Sequence, residues 1–125
     1  MSYVIGVDLG TSGTKTVLFD EIGNVIASHT VEYPLYQEKN GWAEQDPLDW
    51  YNATITTIKT VLDKSNIDSA EIKGIGLSGQ MHGLVMLDKD FNVLRKSIIW
   101  CDQRTGKEYE EITEIVGAEK VIEIT

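Results

Sequence analysis

The chain has 125 residues, 42% hydrophobic and 25% charged, which suits one soluble globular domain and excludes a disordered, collagen-like or coiled-coil chain. Twenty acidic against eleven basic side chains leave a net charge of −9, so neither a nucleic-acid backbone nor an anionic membrane surface is an expected partner. The lone Cys101 excludes an intrachain disulfide and a multi-cysteine zinc site. MSYVIGVDLG lacks a basic start and Asp8 interrupts its apolar run, so neither a leader nor an anchor is expected, and the expected compartment is the cytoplasm.

In chain order, Tyr3 to Leu9 reads as a buried strand, Gly10 to Gly13 as a turn and Lys15 to Phe19 as a second strand. After the turn at Ile22-Gly23-Asn24, Val25 to Tyr33 reads as a third strand, so the domain begins with an antiparallel meander. Pro34 to Asp46 is a polar loop in which Trp42 reads as a packing anchor. Asp46 as N-cap, Pro47 at the first helical position and Asp49 in the capping-box position open a helix. Its apolar face is expected at Leu48, Tyr51, Ile55, Ile58 and Leu62. Ile72 to Ser78 reads as a buried strand, Leu84 to Leu87 as another, Asp88-Lys89-Asp90 as a turn and Ser97 to Trp100 as a short strand. Arg104 to Val116 is a polar helix, with Glu108, Glu110, Glu111 and Glu114 on a solvated face. Val121 to Thr125 alternates like an entering strand or a final helical turn, and reads as cut rather than finished. Trp100 and Cys101 read as core, and no internal repeat or linker is evident.

The strongest local signal is VIGVDLGTSGTKTVLFD. A carboxylate, Asp8, closes a strand, and a turn of Gly, Thr and Ser leads into a second strand. Gly10 and Gly13 permit positive φ, so that consecutive N–H groups would face one anion, with the Thr11 and Ser12 hydroxyls and Lys15 adding donors. Asp8 would repel phosphate unless Mg²⁺ lay between them. The spacing is not that of the P-loop, which runs from strand to helix. Two readings stand at this point, an anion cradle or a plain hairpin whose glycines serve only the turn.

This segment resembles the first phosphate motif of the actin-like ATPase superfamily, which includes hexokinase, the actin and chaperone ATPases and the FGGY carbohydrate kinases. GWAEQDPLDW (Gly41 to Trp50) is similar to the loop-to-helix transition of the FGGY kinases. GIGLSGQMHGLVMLD (Gly74 to Asp88) resembles the sugar-contact turn of the xylulokinases among them, and SIIWCDQRT (Ser97 to Thr105) the next family segment.

The resemblance implies an α/β fold of the actin-like (ribonuclease H-like) type, with a mixed sheet beginning in the three-stranded meander and helices packed on it. Residues 1–125 would form part of the N-terminal actin-like domain, without the second domain. It implies Asp8 as the Mg²⁺ and catalytic carboxylate, Thr11, Ser12, Gly13 and Lys15 around the ATP phosphates, and Gln80, Met81, His82, Asp102 and Arg104 around the sugar. Read as residues alone, Asp102 and Arg104 are equally an ion pair at a helix start, and His82 a surface turn residue. The implied activity is ATP-dependent phosphorylation of D-xylulose or a related pentulose. The implied partners are ATP, the sugar and a C-terminal domain, with a homo-oligomer left open. In the family the base is an Asp in a Gly-Asp-Asn motif, a tripeptide absent from these residues, so the isolated chain is expected to be inactive. Gluconokinase or another FGGY kinase is the alternative, as is a non-catalytic sugar-binding or regulatory relic.

Overall fold

The apolar run after Ser2 becomes an interior strand of a four-stranded sheet in a computed structural model of residues 1–125. Strand β1 (Tyr3–Leu9) pairs antiparallel with β2 (Gly13–Asp20), which pairs antiparallel with β3 (Val25–Glu32). The expected meander is therefore present. Two-residue strands β4 (Glu44–Gln45) and β6 (Ser97–Ile98) form a separate small ladder, with α1 (Pro47–Ser65) following β4. Strand β5 (Ile72–Gly79) lies parallel to β1 on its other edge, giving the order β3-β2-β1-β5. Parallel pairing requires a crossover, and α1 supplies it.

Helix α1 begins as the sequence predicts: the Asp46 side chain accepts a hydrogen bond from Leu48 N at 2.9 Å, and Pro47 occupies the first turn. It ends at Asn66 in the left-handed conformation, φ 53°. The buried stripe differs from the expected one. Ala53, Thr57 and Val61 face the sheet, whereas Leu48 and Tyr51 are exposed and Ile58 and Leu62 half-buried. The centre of the buried stripe is thus small or β-branched, and the longer Ile58 packs from its flank against the core. Ile5, Val7, Leu18 and Val61 form the core. The Thr16 and Thr57 hydroxyls lie 2.6 Å apart, both fully buried. The Thr57 hydroxyl donates to the Thr54 carbonyl at 3.0 Å, which leaves Thr16 as donor to Thr57 and satisfies both groups.

Other expectations are corrected. Strand β5 is exposed at six of its eight positions, Leu77 to 78%, because β5 is an edge strand that α1 barely reaches. Leu84 to Leu87 forms no strand; only isolated bridges, Leu84 with Ile98 and Leu87 with Val93, hold that segment. The C-terminal residues form α2 (Gly106–Val116) and α3 (Ala118–Ile124), separated by Gly117 at φ 93°, and neither helix buries a residue. Trp100 is exposed rather than core. No helix is long and apolar enough to cross a membrane.

One turn occurs twice. In DEIGNV, Asp20 accepts from the amides of Ile22 and Asn24 at 3.1 and 2.8 Å. In DKDFNV, Asp88 accepts from those of Asp90 and Asn92 at 2.8 and 2.9 Å. The fourth position is left-handed in both, filled by Gly23 (φ 89°) in the first and Phe91 (φ 64°) in the second. Phe91 is 83% exposed, so its ring offers little packing in return for the steric cost of that conformation. Phe91→Gly is therefore expected to raise stability by about 0.5–1 kcal/mol, the left-handed penalty less the chain entropy of glycine, measured by urea unfolding.

Candidate functional site

The site follows from the strand directions. Strands β1 and β5 run parallel, so their C-terminal ends, with the start of β2, meet at one end of the sheet. There Asp8 stands opposite Lys15 on β2 and Ser78 on β5, with an exposed carboxylate. Asp8, Lys15, Val17, Phe19, Gly76 and Ser78 line an open cleft on the face away from α1.

The turn from Gly10 to Gly13 closes with Gly10 N donating to Gly13 O at 3.0 Å. Its glycines serve a purpose other than the one expected. Neither has positive φ; a Cβ at Gly13 would instead lie 2.6 Å from the Val31 carbonyl oxygen, so close approach to β3 requires glycine there. The amides of Thr11 and Ser12 make no internal hydrogen bond and remain available to an anion. A tyrosine that sequence reading passed over braces the turn: the Tyr33 hydroxyl donates to the Gly10 carbonyl, and Thr14 lies 3.4 Å from it. Burial, together with the charge of Asp8, pushes the Tyr33 phenol above its usual pKa and keeps it a donor.

The turn from Gln80 to Gly83 sits directly beside this one, joined by Gln80 N donating to Leu9 O at 2.9 Å. His82 is exposed and left-handed, φ 63°, and Met81 is exposed beside it. Leu84 N donates to Ile98 O at 3.0 Å and seats the far side of the turn on β6. The Gln80 amide is engaged inside the protein, with Gln45, Gly10 and Thr11. Thr11 likewise directs its hydroxyl at Gln80 and Trp100.

Asp102 and Arg104 form part of an ion cluster. The Arg104 guanidinium donates to Asp102 Oδ2 at 2.7 Å and to Glu44 Oε1 at 3.1 Å, and stacks 3.7 Å from the centroid of Trp42. Arg95 reaches the same Glu44 oxygen at 2.5 Å. Asp102 also accepts from Ala43 N at 2.6 Å. The Asp102 side chain is 2% exposed and that of Arg104 14%, so their polar atoms are spent mostly on one another. Trp42 is the packing anchor expected of it. No group of three or more His, Cys, Asp and Glu side chains is placed to hold a metal, and Asp8 is the carboxylate next to the end of β1.

An antiparallel meander continued by a parallel strand, with a short Gly-Thr-Ser-Gly turn between β1 and β2, is the arrangement of the actin-like ATPase fold. The ligand-bound xylulose kinase of Lactobacillus acidophilus superimposes with a TM-score of 0.87 at 36% identity, covering 97% of this chain and 24% of that structure. Gluconate kinase from the same organism gives 0.87 and 36% over 96% of this chain and 24% of its own. The xylulose kinase of Bacillus subtilis (strain 168) is 47% identical over all 125 residues, a quarter of its own length. The signature of the FGGY family of carbohydrate kinases, N-terminal domain, matches residues 3–125. The chain belongs to that family, and spans about a quarter of the length of the relatives it matches.

The hydrogen bonds of Arg104 hold the Asp102 carboxyl at a pKa of about 2, below its usual 3.8, against the opposing effect of burial. A lowered carboxylate pKa contributes stability at pH values above the unfolded one, and this is lost as pH falls from about 4 through about 2. Asp102→Asn is expected to lower the urea midpoint at pH 7 and to flatten that acid limb. It should not abolish it, since Asp20 and Asp88 are also held below their usual values by their turn hydrogen bonds. Urea titrations between pH 2.5 and 7 measure both effects.

Proposed function

We propose that this chain forms the ligand-facing part of the first domain of an ATP-dependent cytoplasmic kinase for D-xylulose or a related pentulose. It closes against a C-terminal domain that carries the adenosine site and the catalytic base. The observation that carries this reading is the contact of the two turns: the Gly10–Gly13 hairpin and the Gln80–Gly83 turn are joined by a 2.9 Å bond from Gln80 N to Leu9 O. A donor phosphate on one and an acceptor sugar on the other would be neighbours, as phosphoryl transfer demands.

The free amides of Thr11 and Ser12, the Ser12 hydroxyl, the tight turn at Gly13 and the ammonium of Lys15 hold the phosphate tail. Asp8 suits Mg²⁺, a cation that keeps waters and phosphate oxygens and takes one or two carboxylates rather than a closed protein cage. When bound, that ion would neutralise charge on the transferred group. His82 offers a sugar hydroxyl a donor and an acceptor, and Met81 an apolar wall. Gln80, Asp102 and Arg104 act on the sugar by fixing the loops around it. With the catalytic base expected on the C-terminal domain, the 125-residue chain alone is expected to turn over no sugar.

Gluconate is the second reading, favoured by the equal TM-score and identity of the L. acidophilus gluconate kinase. The exposed Met81-His82 pair, without a cation in the same turn, favours an uncharged acceptor.

The test is kcat/KM of the complete kinase carrying this chain for xylulose, ribulose, gluconate and glycerol. Xylulose is expected to lead, with Asp8→Asn lowering kcat by about a hundredfold or more at unchanged thermal stability. A preference for gluconate, or an Asp8→Asn enzyme with the parent kcat, would overturn the assignment.

A further inference from the structure

A fully buried side chain with no role in the reaction described above lies between the two turns. Gln45 is 0% exposed. Its Nε2 donates to the Thr11 carbonyl at 2.5 Å, and its Oε1 accepts from Trp50 Nε1 at 3.1 Å and from Gln80 Nε2 at 2.7 Å. The amide orientation is fixed by its neighbours: a carbonyl only accepts and an indole N–H only donates, so nitrogen must face Thr11 and oxygen Trp50.

The remaining bonds run in one consistent direction. Trp100 Nε1 donates to Thr11 Oγ1 at 3.0 Å, which frees the Thr11 proton for Gln80 Oε1 at 3.3 Å. Gln80 Nε2 then donates to Gln45, and Gln45 returns to Thr11 through its backbone carbonyl. The ring begins and ends on Thr11, residue 11 of the hairpin turn, and passes through residue 80 of the neighbouring turn. Few side chains could replace Gln45. Glutamate would point a lone pair at the Thr11 carbonyl, and an apolar residue would leave that carbonyl and the Trp50 indole unpaired.

We propose that Gln45 is a positioning residue that locks the Gly10–Gly13 hairpin to the Gln80–Gly83 turn, setting the separation between the two ligands. The ligand half of this statement rests on the kinase reading; the lock itself does not. Because the ring spends the side chains of Thr11 and Gln80, the ligand contacts of these two turns fall to the Thr11 and Ser12 amides, the Ser12 hydroxyl, Met81 and His82.

The experiment has two arms. In the 125-residue chain, amide hydrogen exchange by NMR compares wild type with Gln45→Met. The Gly10 and Tyr33 amides report on one turn and the Gln80 and Leu84 amides on the other. Both pairs are expected to exchange about tenfold faster, while Ile5, Val7 and Leu18 on the core strands keep their rates. In the complete kinase, Gln45→Met is expected to raise KM for sugar and for ATP together, by about fivefold or more. Thr57→Val, equally buried in the core but remote from the ring, is expected to lower stability with both KM values unchanged. Loosening of one turn only, or parent KM values for both substrates, overturns the proposal. If Gln45→Met does not fold, Gln80→Met opens the ring from its less buried side, and unchanged exchange at Gly10 and Tyr33 then overturns it. A complete protein that phosphorylates no sugar defeats the kinase reading, and the exchange arm still decides the lock.

Discussion

Strand β1 is hydrogen-bonded along both edges to partners running in opposite senses, and the site depends on that arrangement. The antiparallel partner, β2, must begin where β1 ends, so a short turn forms there. The parallel partner, β5, must end at the same place, so the chain leaving it forms a second turn beside the first. Neither turn needs a long loop, and neither is free to drift, because each is tethered within a residue or two of a ladder. The chemistry at this end of the sheet is thus fixed by strand direction before any side chain is considered. Helix α1 makes it possible by spanning the crossover and burying Ile5, Val7 and Leu18 beneath it.

Around this frame, polar groups are arranged in two closed sets rather than scattered. One joins Glu44, Arg95, Asp102 and Arg104; the other joins Thr11, Gln45, Gln80 and two tryptophans. Both enter the small β4–β6 region, where Glu44 and Gln45 are consecutive and, with side chains on opposite sides, serve different sets. A two-residue strand has little ladder to stabilise it. Its place is held by the charge-assisted bonds of Glu44 on one side and the amide bonds of Gln45 on the other.

The sequence made the meander, the helix start at Asp46 and the turn residues legible because each is governed by local rules of alternation, capping and turn chemistry. Asp8, the Gly10–Gly13 turn and the Gln80–Gly83 turn, which the family resemblance named, lie together at one end of the sheet. What local rules could not reveal depends on contacts far apart in the chain. Gln45 and Gln80 are 35 residues apart, and nothing in the periodicity of either segment announces their bond. The stripe of α1 that faces the sheet runs through Ala53, Thr57 and Val61, of which hydrophobicity along the sequence marks only Val61 as a large apolar residue. The purpose of Gly13 was hidden because its constraint is the Val31 carbonyl and not its own φ. The repeated Asp-turn was visible in principle as D-x-x-x-N-V, but Phe91 in place of Gly23 obscured it.

Within residues 1–125, strand β5 ends the sheet with one side of its backbone unpaired and with Ile75 and Leu77 largely open to solvent. Glycines at 74 and 76 leave that border without bulky obstruction. Such a border is a template on which another strand can add. A net charge of −9 acts in the opposite sense, since copies approaching edge to edge repel one another over a Debye length that shortens as salt rises. Salt that shortens the Debye length therefore weakens the repulsion that opposes pairing along that border.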